Sequence, residues 1–202
     1  MKILLVVLSL FALAASAIAT DLTSGCAAVV ASKGKTNDTE RLHQLFRLHW
    51  DYEIHEFPES ATVRGYPGQN DRWTDDSLDA IERRKRETHE PLKVLATIDR
   101  AALAPDEQLN FDLFKRDFDE AVEGQRFPGE FLPLNQLQGV QQGIARVLRL
   151  SPAKSVKDFE DMIARLESAV RRIDQHLVLL RKGLEKGITP PKITLRDVPQ
   201  QV

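Results

Sequence analysis

From Asn37 onward the chain reads as apolar stripes at helical spacing, broken by loops rich in proline and glycine. Leu42, Phe46, Trp50 and Ile54, with Leu45 beside them, form one stripe and predict a helix over about 37–57. Phe57-Pro58 ends it, because a residue before proline avoids the helical region. Residues 61–76 read as a loop. Ser77 then caps a helix carrying Leu78 and Ile81, which Pro91 separates from a segment with Leu92, Leu95 and Ile98. Pro105 suits the first turn of a third long helix, with Leu109, Leu113, Phe114, Phe118 and Val122 on its apolar face and Gly124 as C-cap. An apolar loop over 127–134 leads into a short helix through Ile144, Val147 and Leu148.

The strongest pattern comes last. Ser155 and Asp158 have capping-box spacing, and Phe159, Met162, Ile163, Leu166, Val170, Ile173, Leu177, Leu180 and Leu184 follow at steps of three and four, until Gly187 and Pro190-Pro191. Such a helix is about 45–50 Å long at 1.5 Å per residue and needs long neighbours to cover it. No run of strand character competes, so the predicted fold class is all-α, a long-helix bundle. Apolar positions resume at Ile193, Leu195 and Val198, which predicts an incomplete part of a larger helical protein.

The N-terminus is different in kind. Met1-Lys2, an apolar run from Ile3 to Ala14 and the small residues Ala15 to Ala19 predict a secretory signal peptide over 1–19. The run is too short for a comfortable membrane span. Residues 20–36 are small and polar and read as a flexible leader, leaving 37–202 as the helical domain. Cys26 is the single cysteine, so no intrachain disulfide exists. Small residues ahead of Cys26 suggest lipidation, but Thr23 stands where a lipidation signal wants leucine. A lipid anchor and a plain free thiol therefore both remain open. The expected location is periplasmic or secreted, membrane-anchored through Cys26 if that residue is lipidated.

Composition narrows the function by exclusion. A net charge of -2, with 29% charged residues, gives no case for nucleic acid or an anionic membrane as partner. None of His43, His49, His55, His89 and His176 has the H-E-x-x-H spacing of a zinc hydrolase, and no metal site is expected in this chain. G-x-S-x-G and phosphate-binding glycine loops are absent. Two loops stand out. Asn135 and Gln136 follow a proline-stiffened apolar stretch and are candidate substrate-binding amides, with local backbone satisfaction as the competing reading. Asp71-Arg72-Trp73-Thr74-Asp75 reads as local ion pairing around a packed Trp73.

In order, Phe57-Pro58-Glu59-Ser60, Asp71-Arg72-Trp73-Thr74-Asp75, Leu109-Asn110-Phe111-Asp112, Leu132-Pro133-Leu134-Asn135-Gln136 and Arg181-Lys182-Gly183-Leu184-Glu185 resemble the N-terminal portion of the bacterial "domain of unknown function 885" family. The resemblance runs from about Thr36 to Val202. It implies a longer, exported, helical protein similar to zinc metallopeptidases of the gluzincin type, with zinc bound downstream of the matched region. This chain would then form one wall of a substrate cleft, with Asn135 and Gln136 in it, and would be inactive alone. Its partners would be the missing C-terminal catalytic part, or a separate chain supplying it, and peptides. The alternative is a freestanding exported module that binds a partner. The two differ in one expectation: a freestanding module covers the apolar face of its last long helix, and a scaffold for something larger leaves it bare.

Overall fold

The computed structural model describes residues 21–201, so the expected signal peptide at 1–19 lies outside the described residues. The described secondary structure is helical apart from an isolated bridge between Lys33 and Thr36, and the fold is all-α. In chain order the helices are α1 (Leu22–Ala31), α2 (Asp38–Glu56), α3 (Pro58–Val63), α4 (Leu78–Glu87), α5 (Glu90–Leu95), α6 (Pro105–Gly124), α7 (Val140–Leu150), α8 (Val156–Glu185) and α9 (Lys192–Leu195). Asn37, Ser77 and Ser155 cap α2, α4 and α8 with their side chains, and Ser155 with Asp158 completes the capping box.

The expected flexible leader is instead a helix in the core. The Asp21 carboxylate accepts from the backbone N–H of Thr23 and Ser24 and starts α1. Leu22, Cys26 and Val29 then fall on one face and are buried. Gly25 lets α1 press onto α2, since a Cβ there would lie 2.5 Å from a methyl of Leu48. These residues join Leu42 and Leu45 of α2, Val94 and Leu95 of α5, and Phe111 of α6 in one apolar cluster. Arg41, with no exposed surface, ties the cluster's edge: it donates to Asp38 at 2.7 Å and to the carbonyls of Thr97 at 3.1 Å and Val29 at 3.3 Å. Cleavage just ahead of Cys26, which lipidation requires, would remove both the Asp21 cap and buried Leu22.

Two further differences follow from local chemistry. Pro58 ends α2 as expected, but it also serves as the first residue of α3, where its fixed φ suits a helix start; the loop therefore begins at Arg64 rather than Ala61. The larger difference concerns α8. Phe159, Ile163, Leu166, Val170, Ile173, Leu177 and Leu184, the stripe for which covered and bare were the two expectations, are each between 40% and 70% exposed. Inward-facing positions are Arg165, Ala169, His176, Leu179 and Gly183, which are buried. They lie roughly a third of a turn around the helix from the aliphatic stripe. The long helix thus lays a polar and small-residue face on α7 and the turn at Gly129–Phe131, and turns its apolar face outward.

Candidate ligand-binding cleft

The inward face of α8 is polar because it receives a loop rather than another aliphatic helix. Seven residues advance a helix by about 10.5 Å. The guanidiniums of Arg165 and Arg172 are therefore two turns apart, and the indole of Trp73 fits between them, 5.2 Å from one and 5.1 Å from the other. Both contacts are of the cation–π kind. Trp73 Nε1 donates to the Arg165 carbonyl at 2.6 Å. Arg165 is fully buried and has no carboxylate partner among the described residues. Its donors reach the carbonyls of Arg72 at 3.0 Å and Gln69 at 2.5 Å and the Thr62 hydroxyl at 2.9 Å. Burial pulls the Arg165 and Arg172 guanidiniums down to about 10, which still leaves both charged at neutral pH.

Next to Trp73 the charges are paired. Glu59 of α3 forms an ion pair with Arg172 and accepts from the Thr74 hydroxyl at 2.6 Å. Asp76 lies 3.4 Å from Arg172 and 3.0 Å from His176 Nε2. His176 Nδ1 is buried and has no partner among the described residues. Burial raises the Asp75 carboxyl, but hydrogen bonds from Ser77 and Gln175 and the charge of Arg171 outweigh it and hold the group below the usual carboxylate range.

Of these residues, Glu59, Trp73, Arg172 and His176 form one side of a cleft of about 480 Å³ between α3, α7 and α8. Val63, Pro133, Val140 and Val147 give it apolar walls, Gly143 of α7 leaves its floor open, and Arg64 and Arg146 stand at its rim. Asn135 and Gln136 shape this cleft without lining it. Asn135 Oδ1 accepts from the N–H of Leu137 at 2.8 Å and of Gln138 at 3.1 Å, fixing the turn that brings Gln138 and Gly139 to the cleft. The Gln136 N–H donates to the Thr194 carbonyl at 2.9 Å, which ties the same loop to α9. Cys26 lies in the α1 core and takes no part in the cleft.

Sequence reasoning placed Trp73 as a packed residue but did not connect it to α8. Glu59, Arg146, Arg172 and His176 were not singled out as a group. For Arg172 and His176 the signal was the run Arg165, Ala169, Arg172 and His176, a second stripe at helical spacing, masked by the stronger aliphatic one; Glu59 and Arg146 carried none. Among the described residues no three of His, Cys, Asp or Glu come together as a metal site requires, and no helix is long and apolar enough to cross a membrane.

Fold and cleft together define a class: an all-α protein whose longest helix carries a cation-lined cleft on one side and a bare aliphatic face on the other. Residues 58–202 match the model of the bacterial proteins of unknown function called DUF885, and the chain belongs to that family. A search of curated proteins gave no match.

Proposed function

We propose that this chain is the helical scaffold of an exported peptide hydrolase, forming one wall of its substrate cleft. On this reading the zinc ligands and the general base come from residues outside this chain; among the described residues no three of His, Cys, Asp or Glu come together. The observation that carries the reading is α8. A freestanding module would cover the aliphatic face of its longest helix, whereas here seven large apolar side chains of that face stand 40–70% exposed. Soluble proteins seldom leave such a continuous patch uncovered unless another surface packs on it. A second helical body on that face, carrying the metal, would leave the cleft of α3, α7 and α8 as a binding wall. Export through residues 1–19 belongs to the same proposal.

The test has two parts. The isolated chain, with added zinc, is expected to leave a mixed peptide library uncut. Polypeptides bearing this segment, isolated from source cells by an antibody to it, are expected to cut the library in a chelator-sensitive way. Zinc-dependent cleavage by the isolated chain would overturn the division of labour. An antibody-selected species of this chain's mass with no peptidase activity would overturn the reading as a whole.

A further inference from the structure

The charges at the cleft do not balance. Its lining includes three arginines, Arg64, Arg146 and Arg172, and one carboxylate, Glu59. Glu59 is taken up by Arg172 and Thr74. Arg64 and Arg146 have no carboxylate partner among the described residues, although ion pairs are frequent elsewhere on this surface. Arg64 lies over the Trp50 ring at 5.7 Å, and Glu53, beyond ion-pairing distance, feels its charge. Arg146 thus stands beside an apolar hollow with no carboxylate within ion-pairing distance among the described residues, and Arg64 lines the same hollow.

From this geometry we infer that the cleft binds a small organic carboxylate with an apolar body, the arginines taking the carboxylate and the valine-lined walls taking the body. Arginine suits the task because its planar fork meets both oxygens of a carboxylate. On the reading above this ligand is part of a peptide, and the carboxylate comes from a chain terminus or an acidic side chain. Gly143 gives an internal control. A Cβ built there meets nothing within 4 Å, so a larger side chain enters the hollow without disturbing α7.

Three probes titrated into the metal-free chain by calorimetry test the proposal: N-acetyl-leucyl-leucine, its C-terminal amide, and N-acetyl-leucyl-glutamate amide. The first should bind at least tenfold more tightly than its amide. If the third binds like the first, a side-chain acid satisfies the site; if it binds like the amide, only a chain terminus does. Arg64→Ala with Arg146→Ala should abolish the preference for acid over amide. Gly143→Leu should remove binding while leaving the helical circular dichroism intact. Equal binding of the first acid and its amide, no binding of any probe, or unchanged binding by the Gly143→Leu chain would each overturn the inference. The readout needs neither metal nor hydrolysis, so its failure is distinct from failure of the peptidase reading.

Discussion

Arg165 carries a charge with no exposed surface and no carboxylate within ion-pairing distance among the described residues, so its stability rests largely on the carbonyls of Arg72 and Gln69, the Thr62 hydroxyl and the face of Trp73. Arg165→Met keeps the volume but leaves those buried acceptors without donors, at about 1–3 kcal/mol for each group stranded. The variant should lose about 3 kcal/mol or more in urea unfolding, and Trp73 fluorescence should report a loosened loop. A second residue sets a pH dependence. Burial against Phe114 and Phe118 pushes His49 down to about 4 from its ordinary 6.5. The unfolded chain therefore takes up a proton as pH falls below 6.5 while the folded chain does not, and stability drops until about pH 4. Glu53, 3.6 Å away and raised by burial, works in the opposite sense at the acidic end. Wild type should lose roughly 2 kcal/mol between about pH 7.5 and 5. His49→Phe should lose clearly less in the same urea titrations, and equal losses would show that the ring is solvated. Cys26 gives the simplest check. Burial foremost, then the charge of Glu90, pushes its thiol up to about 12, so a thiol reagent at mildly alkaline pH should label it only on unfolding.

At the scale of elements, two glycines of the α7–α8 pair should respond oppositely to the same change. Gly183 sits where α8 passes the turn at Gly129–Phe131; a Cβ there would lie 2.6 Å from the Ile188 carbonyl oxygen and 3.0 Å from Phe131 Cβ. Backbone cannot yield cheaply, so Gly183→Ala should cost about 1–3 kcal/mol by overpacking. Gly143→Ala meets open space within a helix and should gain up to about 1 kcal/mol from propensity. Urea midpoints of the two variants should fall on opposite sides of wild type. The elements themselves were largely legible in the sequence. Ser77, Pro91, Pro105 and Ser155 mark starts and breaks by the chemistry of caps and prolines, and α4 to α8 follow them. Missed elements had weak local signals: α1 is built from small residues that resemble a leader, and its burial depends on distant partners in α2 and α5. The cleft was hidden for the same reason, since Trp73 is 92 residues from the carbonyl it binds.

At the scale of the molecule, the pattern of α8 says what kind of surface would cover it. Val156, Phe159, Ile163, Leu166, Val170, Ile173, Leu177, Leu180 and Leu184 alternate steps of three and four without interruption. A strict seven-residue repeat keeps an apolar seam in register with another helix, because supercoiling lowers the period from 3.6 to 3.5 residues per turn. Glu160, Glu167 and Asp174 run along one edge of the seam, so a covering helix with basic residues on that side would match it. Because the seam is exposed, charges placed in it should not unfold the chain. Ile163→Glu with Val170→Glu should leave the urea midpoint within about 0.5 kcal/mol of wild type, as surface changes do. The same pair should abolish binding of a dye specific for exposed apolar surface and the concentration-dependent association that a bare seam drives. Collapse of the double variant would mean that these side chains are packed within the folded chain, and the scaffold reading would lose its main support. Retention of the fold with loss of dye binding would identify α8 as a surface held ready for another helix.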